Sequence, residues 1–81
     1  MKARVFVSFK TTVLDPQGQT VQSALNGLGY HGVAGVRQGK YFEIALSDGL
    51  SPEEARRQID AMARDVLANP VIEEYRFEII E

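Results

Sequence analysis

The chain has 81 residues, with nine basic and eleven acidic side chains, a formal net charge of −2, and no cysteine or tryptophan. This length predicts one domain over residues 1–81, whose thin core argues against an enzyme that works alone. The lack of cysteine excludes disulfides, thiolate catalysis and cysteine-bound metal, and it favours a cytoplasmic protein. No apolar run approaches the roughly 20 residues of a bilayer span, and the nearly balanced charge argues against a nucleic-acid partner.

The N-terminal segment predicts a strand, because apolar and polar side chains alternate along it. The residues expected to face the core are Ala3, Val5, Val7 and Phe9. Phe6 departs from this alternation, because it places an aromatic ring on the polar face of the strand.

The first helix is predicted from about Pro16 to Leu28. Asp15 precedes it and can accept hydrogen bonds from the first free backbone N–H groups, and Pro16 suits the first helical position. Gly29 follows as a C-terminal stop. Four apolar residues recur at helical spacing and form the expected buried stripe, Val21, Ala24, Leu25 and Leu28.

Residues 33–47 are rich in β-forming side chains and are predicted to be extended. Gln38-Gly39 can form a tight turn, which favours two strands joined by a hairpin. One long strand that bends at the glycine is the alternative. In either arrangement Phe42 and Ile44 face the core, and Tyr41 faces outward.

A capping box predicts the start of the second helix. The Ser51 hydroxyl caps the helix, and the Glu54 carboxylate reaches back to the Ser51 amide. Asn69-Pro70 ends this helix, because the residue before a proline is disfavoured in the α region. The apolar stripe of the helix consists of Ala55, Ile59, Met62, Ala63, Val66 and Leu67.

The last strand is predicted over Val71–Ile80, with Tyr75 facing the core. Ile72 and Ile80 place apolar groups on the polar side of this strand. The alternation directs Glu73 toward the helix-covered face, where a position near the rim explains the carboxylate. A buried functional carboxylate is the alternative.

The element order β-α-β-β-α-β predicts an α+β ferredoxin-like domain, a four-stranded antiparallel sheet with both helices on one face. Such a sheet leaves its second face bare. That face carries four apolar residues that we predict to mediate self-association, Phe6, Tyr41, Ile72 and Ile80. Scattered exposed apolar side chains on a curled sheet are the alternative explanation.

No catalytic or metal-binding constellation is evident in the sequence. His31 is the only histidine and has no partner residue at a suitable spacing. The glycines before Lys40 do not form a phosphate-binding loop, because Ala34 and Tyr41 stand where that motif needs Gly and Ser or Thr. Without that motif Lys40 is a lone charge, which can meet a phosphate or an acidic partner.

Four short motifs of the chain together make a combination that is specific enough to indicate a family, although each motif alone is weak evidence. They are Val13-Leu14-Asp15-Pro16-Gln17-Gly18, Leu28-Gly29-Tyr30, Val36-Arg37-Gln38-Gly39-Lys40 and Asn69-Pro70-Val71-Ile72-Glu73-Glu74-Tyr75. Their order and spacing resemble the PurS family, the small subunits of phosphoribosylformylglycinamidine synthase. The resemblance extends over essentially the whole chain.

The resemblance implies a non-catalytic subunit of an enzyme of purine biosynthesis. In that family a large synthetase subunit, PurL, uses ATP and Mg²⁺, and a glutaminase subunit, PurQ, releases ammonia from glutamine. PurS, as a homodimer or a dimer of dimers, is implied to bridge the two and to support ammonia transfer. The resemblance implies no cofactor or metal bound by this chain, and it makes Arg37, Lys40 and Glu73 candidates for contact with a partner subunit. Plain solvation is the alternative for Arg37 and Lys40.

A regulatory domain of ferredoxin-like topology that binds a small metabolite is the alternative function. In that case the loops from Gly29 to Gly35 are expected to contact the ligand. The resemblance favours the subunit role over this alternative.

Overall fold

The computed structural model describes residues 1–80, along which three strands and two α-helices follow one another. Their bounds are β1, Lys2–Phe9; α1, Pro16–Gly27; β2, Gly39–Ala45; α2, Pro52–Met62; and β3, Glu73–Ile80. A π-helical turn, Ala63–Leu67, continues α2. Both predicted helix starts are confirmed. None of the helices within residues 1–80 has the length and apolar character that a bilayer span requires.

β1 is the central strand of an antiparallel sheet with the order β2-β1-β3. Val5 lies opposite Phe42 of β2 and Phe77 of β3, so that three apolar side chains share one rung. The neighbouring residue Arg4 lies between two glutamates on the next rung. Because side chains alternate between the faces of a strand, the apolar rung and the charged rung lie on opposite faces of the sheet.

The predicted four-stranded sheet is wrong, because the described residues form three strands. Residues 33–38 are irregular, and Gly39 already belongs to β2, where it lies opposite Ser8. A two-residue hairpin turn at Gln38-Gly39 needs a positive φ, which Gly39 lacks. The chain therefore runs through Gly39 without turning back, and no strand of residues 1–80 pairs with the outer edge of β2.

The core lies between the sheet and α2. Ile59 of α2 and Val5 of β1 are fully buried and belong to one apolar cluster, which includes side chains of the helix and of the central strand. The remaining buried apolar residues are Ala3, Val7, Ala55, Ala63 and Ala68. Most of these side chains are small, so the fully buried part of the core is thin.

α2 covers the sheet unevenly. Its main contact with the sheet is with β3. There the Tyr75 hydroxyl donates a 2.7 Å hydrogen bond to the Asp60 carboxylate, which raises the pKa of Tyr75. The core-facing side chains of β2, Phe42 and Ile44, are half-buried, as are Tyr75 and Phe77 of β3. The helix contact with β3 makes the β2 side of this face the less covered side.

The two ends of α1 have the predicted caps. Asp15 Oδ1 accepts the N–H of Gly18 at 2.9 Å, which starts the helix. At the other end Gly29 has a φ of +102°, and the Tyr30 N–H donates to the Leu25 carbonyl at 3.0 Å. This left-handed ending favours glycine, because a side chain at that φ is strained.

The expectation that both helices cover one face of the sheet is wrong, because α1 does not pack on the sheet. Gly18 is its only buried residue, whereas Val21 is 38% exposed and Leu28 is 76% exposed. We call residues 10–38 the arm. The arm makes the molecule elongated, with extents of 51 × 26 × 14 Å. The radius of gyration is 16.1 Å, whereas a compact chain of this length has about 12 Å.

The second half of the predicted capping box on α2 does not form, and β3 begins later than predicted. Ser51 Oγ accepts the Glu54 N–H at 3.1 Å, but the Glu54 carboxylate binds Arg57 instead of the Ser51 amide. The Asn69 side-chain oxygen accepts the Val71 N–H at 3.1 Å and holds a turn before β3. β3 therefore starts at Glu73 rather than at Val71.

Candidate functional site

The base of the arm is held by Asp15, whose side chain is buried. Asp15 Oδ1 accepts the Gly18 N–H at 2.9 Å, and Oδ2 accepts the Gln38 N–H at 2.7 Å. These two hydrogen bonds, with the nearby Arg37 guanidinium, lower the pKa of Asp15 below its ordinary value. One carboxylate thus joins the start of α1 to the segment that leads into β2.

Arg37, a predicted partner contact, lies beside Asp15 and binds its own chain. Its guanidinium donates to the carbonyl oxygens of Phe9 at 3.1 Å, Lys10 at 2.8 Å and Val13 at 3.3 Å. The planar guanidinium can reach all three oxygens at once, because its donors point in fixed directions. Arg37 therefore shapes the base of the arm, although its side chain remains exposed.

Lys40 and Glu73, the other two predicted partner contacts, lie together. Their charged groups are 3.5 Å apart, and the Lys40 side chain is 58% exposed whereas that of Glu73 is 9% exposed. Glu73 Oε1 also accepts the Asn69 N–H at 2.7 Å. Glu73 therefore lies deeper than the rim position that we expected, and its contacts hold the turn before β3 in place.

A groove of about 490 Å³ separates Lys40 and Glu73 from the start of α1. Its lining includes Phe9, Pro16, Gln17, Gln38, Lys40 and Glu73. The walls are mainly apolar, and the charged groups that line them include a lysine and a glutamate that already neutralise each other. Such a groove can accept a side chain from a partner, and the exposed Lys40 can add a contact to a carboxylate.

The bare face of the sheet has an aromatic centre. The rings of Phe6 and Tyr41 lie 5.1 Å apart between centroids. The Arg76 guanidinium carbon lies 4.1 Å from the Phe6 ring centroid, in the position of a cation–π contact. Two of the four predicted self-association residues are therefore adjacent, and Tyr41 is 51% exposed.

The other two residues of that set lie at opposite ends of the sheet. Ile80 pairs with Lys2 at the start of β1. Ile72 precedes β3, and its carbonyl oxygen accepts the Lys10 N–H at 2.9 Å beyond the end of β1. The structure thus brings Phe6 and Tyr41 together but does not bring Ile72 or Ile80 to them.

Ion pairs flank the aromatic centre of the bare face. Lys2 and Glu43 are 3.1 Å apart, and Arg4 and Glu78 are 3.6 Å apart. The lysine is the main cause of a lowered pKa at Glu43, to which it donates a hydrogen bond. The face therefore presents an apolar centre within charges that are paired inside the chain.

The groups that could perform catalysis are dispersed over the part of the chain that the structure describes. His31 is exposed in the turn that follows α1. Within residues 1–80 no group of three or more His, Cys, Asp or Glu side chains has the arrangement of a metal site. The strongest local constellation is the Asp15–Arg37 pair, and its groups bind backbone atoms.

Sequence reasoning missed the exposed apolar side chains of the arm. Leu14 is 63% exposed, Leu28 is 76% exposed and Tyr30 is 60% exposed. Leu28 was expected in the buried stripe of the first helix. Leu14 and Tyr30 flank the helix and lie outside its apolar periodicity. This position outside the stripe was the sequence signal that could have indicated their exposure.

The sequence matches the family model described as PurS: Phosphoribosylformylglycinamidine (FGAM) synthase, over residues 2–81. The FGAM synthase subunit PurS of a Synechocystis species is 50% identical over 78 residues, which cover 94% of this chain and 75% of that relative. The Bacillus subtilis subunit PurS is 43% identical over 84 residues, which cover 99% of this chain and 93% of the relative.

Solved structures share this fold along the whole chain. A crystal structure of Bacillus subtilis PurS matches with a TM-score of 0.87 and 44% identity, over 99% of this chain and 98% of that chain. A chain in the structure of PurLQS from Thermotoga maritima matches with a TM-score of 0.87 and 26% identity, over 98% of this chain and 95% of that chain. From its sequence and its fold alike, the chain belongs to the PurS family of FGAM synthase subunits.

Proposed function

We propose that this chain is a non-catalytic subunit of FGAM synthase in purine biosynthesis, which joins the synthetase subunit PurL to the glutaminase subunit PurQ. The likeness to a chain of Thermotoga maritima PurLQS carries this proposal, because it extends over nearly the full length of both chains. The curated relatives are also named as subunits of FGAM synthase rather than as complete enzymes.

The partner subunits supply the chemistry in this proposal. PurL uses ATP and Mg²⁺, PurQ releases ammonia from glutamine, and this cytoplasmic chain binds no cofactor and supports the transfer of ammonia between them. The thin core supports this division, since Val5, Val7 and Ile59 are the only buried apolar residues of the described chain that are larger than alanine. Exposed surfaces, rather than an enclosed cavity, then carry the role of the chain.

The surface proposed to contact a partner subunit is centred on Lys40. Glu73 neutralises one side of the Lys40 ammonium, while 58% of the lysine side chain remains exposed. An acidic side chain from PurL or PurQ can therefore bind the same ammonium without displacing Glu73. Arg37 contributes indirectly, because its bonds to Phe9 and Lys10 fix the wall of the adjoining groove.

The chain is also proposed to associate with itself, as a homodimer or a dimer of dimers. The bare face of the sheet offers one contact surface for a dimer of dimers, with Phe6 and Tyr41 at its centre and Ile72 and Ile80 at its ends. The paired charges around the aromatic centre lower the cost of removing that surface from water.

An omission experiment tests the subunit role. FGAM synthesis is measured with PurL and PurQ, with and without this chain, using either glutamine or ammonium as the nitrogen source. Omission is expected to abolish glutamine-dependent synthesis and to leave much of the ammonia-dependent synthesis. Glutamine-dependent synthesis that persists unchanged without this chain contradicts the proposal.

A further inference from the structure

We propose that the turn before β3 is a preformed docking element, which places Val71 in an apolar pocket of a partner subunit, beside a carboxylate that binds Lys40. The proposal rests on the proposed subunit role and names the chemistry of the partner surface. We call residues 69–72 the docking turn. Its exposed apolar residues are Pro70 and Val71, and Glu73 connects it to Lys40.

The first argument is that hydrogen bonds fix the backbone of the docking turn. The Asn69 side-chain oxygen accepts the Val71 N–H at 3.1 Å, and the Asn69 carbonyl accepts the N–H groups of Ile72 at 3.1 Å and Glu73 at 2.7 Å. The Asn69 N–H donates to Glu73 Oε1 at 2.7 Å. Pro70 has no N–H, and its ring fixes φ. Every backbone N–H from Asn69 to Glu73 is therefore bound within the chain.

The second argument is that the fold makes no use of the Val71 side chain, which is 77% exposed. Its neighbour Ile72 is half-buried, and the Ile72 carbonyl accepts the Lys10 N–H at 2.9 Å, so the turn is anchored next to Val71 and not through its side chain. A valine is stiff at χ1, and the backbone that carries it is already ordered. Burial of this side chain by a partner therefore costs little conformational entropy.

The third argument is the charge beside the docking turn. Glu73 Oε1 accepts the Asn69 N–H, and Glu73 Oε2 lies 3.5 Å from the Lys40 ammonium. One carboxylate thus fixes the lysine and the turn relative to each other. The glutamate of this pair is mostly buried and the lysine is mostly exposed, so the charge that a partner meets is positive. A complementary surface has an apolar pocket for Val71 and a carboxylate at its rim.

A second copy of the chain does not fit this surface. In a two-fold interface the same patch of both copies meets, so the patch must complement itself. Two such patches would bring two Lys40 ammonium groups together, while the Glu73 carboxylates stay mostly buried. Glu74 is exposed but lies on the opposite face of the sheet, because side chains alternate along β3. The surface therefore fits a different protein, one that brings its own carboxylate.

A binding experiment with matched valine variants tests the proposal. The full chain, labelled at its N-terminus, is titrated with PurL and PurQ in the presence of glutamine, ATP and Mg²⁺, and fluorescence anisotropy reports the bound fraction. Val71→Asp is expected to weaken binding at least about tenfold, because the new charge enters an apolar pocket and repels the partner carboxylate. Val66→Asp places the same charge at a valine of the π-helical turn that is 79% exposed, and binding is expected to stay within about twofold. Binding by Val71→Asp equal to that of the wild type, or an equal loss in both variants, overturns the proposal.

Stability and self-association separate docking from a structural role of Val71. The urea unfolding midpoint of Val71→Asp is expected to equal that of the wild type, because the side chain is exposed. Sedimentation is expected to show the same self-association in both. A lowered midpoint means that the side chain acts within the fold, and weaker self-association means that it acts between copies. Either result overturns the proposal.

Substitutions of Asn69 test whether the docking turn must be preformed. Asn69→Ala removes the side-chain acceptor of the Val71 N–H, whereas Asn69→Ser supplies a weaker one. Amide exchange at Val71 is expected to accelerate about tenfold in Asn69→Ala and less in Asn69→Ser. Binding to the partner subunits is expected to fall in the same order. Accelerated exchange with unchanged binding contradicts a preformed turn.

The omission experiment keeps failure of the docking turn distinct from failure of the subunit role. A chain that is required for glutamine-dependent synthesis, but whose Val71→Asp variant binds as the wild type does, overturns the docking turn and supports the subunit role. A chain that is dispensable for synthesis, but whose binding is selectively weakened in Val71→Asp, supports the docking turn and overturns the subunit role.

Discussion

The carboxylate of Asp15 accepts the backbone N–H of Gln38 at 2.7 Å, although the two residues lie near opposite ends of the arm. The other oxygen of the same carboxylate accepts the Gly18 N–H and caps α1. One side chain therefore closes the base of the arm and starts the helix within it. The start of α1 and the start of β2 are therefore held by the same carboxylate.

Substitutions of Asp15 test its two roles, which are to cap α1 at Gly18 and to hold the backbone N–H of Gln38. An asparagine offers one oxygen acceptor instead of two, so Asp15→Asn is expected to keep one of the two bonds and lose the other. We expect amide exchange to increase about tenfold at either Gly18 or Gln38, because a hydrogen bond to a charged acceptor is lost. Asp15→Ala is expected to accelerate exchange at both. Asp48→Asn, in an exposed turn, is the control, and unchanged exchange in Asp15→Ala contradicts the prediction.

The stability of α2 is expected to depend on acid pH through Glu54. Hydrogen bonds from Arg57 and Gln58 lower the pKa of Glu54 to about 2, whereas a glutamate in an unfolded chain has a pKa of about 4.3. The contribution is therefore complete above about pH 4.3 and is lost as the pH falls toward 2. Thermal unfolding midpoints measured between pH 6 and pH 2 provide the test.

The matched variants for this pH experiment are Glu54→Gln and Glu53→Gln. Glu54→Gln is expected to make the midpoint less dependent on pH, because it removes the carboxylate that binds Arg57. Glu53→Gln removes a carboxylate from the same helical turn but leaves that pair intact, so the slope is expected to stay close to that of the wild type. The same slope in Glu54→Gln and the wild type contradicts the prediction.

Arg37 and Lys40 are expected to respond differently to substitution, although they lie three positions apart. Arg37→Gln removes donors to three backbone carbonyl groups and is expected to cost roughly 1–3 kcal/mol of unfolding free energy. Lys40→Gln breaks one partly exposed ion pair and is expected to cost less than about 1 kcal/mol. Urea denaturation followed by circular dichroism distinguishes the two, and equal costs contradict the structural role of Arg37.

Substitution of Lys40 also tests the proposed contact with the partner subunits. Lys40→Gln is expected to weaken binding to PurL and PurQ at least about fivefold, a loss of roughly 1 kcal/mol. Arg56→Gln removes an exposed cation from α2 and is the control, with binding expected to stay within about twofold. Binding by Lys40→Gln equal to that of the control excludes Lys40 from the interface.

Gly39 is expected to tolerate no side chain. A Cβ atom at this position collides with the carbonyl oxygen of Val7, because β1 and β2 approach closely there. Gly39→Ala is therefore expected to cost about 1–3 kcal/mol of unfolding free energy. Gly32→Ala meets open space and is expected to change stability by less than about 0.5 kcal/mol. Equal unfolding midpoints in urea for the two variants contradict this account.

Local chemistry made the ends of the helices predictable from the sequence. Asp15, Ser51 and Gly29 act through backbone groups a few residues away, so their roles follow from residue type and spacing. The Asp15 bond to Gln38 and the Arg37 bonds to Phe9 and Lys10 were not predictable, because they join segments that are distant in the sequence.

The predictions of a fourth strand and of α1 packing on the sheet were wrong for a related reason. The β-forming residues at positions 33–38 and the apolar stripe of α1 indicate structures that bury surface. Neither pattern says whether the buried surface belongs to the same chain. The half-exposed Phe42 and the exposed Leu28 show that in a single chain both requirements stay unmet.

The arm is also a long connection between two strands that pair with each other. Joining Phe9 to Gly39 closes a loop over residues 10–38, and for a flexible loop of that length the length-dependent loss of chain entropy is about 3 kcal/mol. Small secreted domains commonly offset such losses with disulfides, and this chain has no cysteine. The hydrogen bonds of Asp15 and Arg37 at the base of the arm hold the two ends of the loop together without a covalent bond. Their strength depends on pH and ionic strength, and they are insensitive to the redox potential.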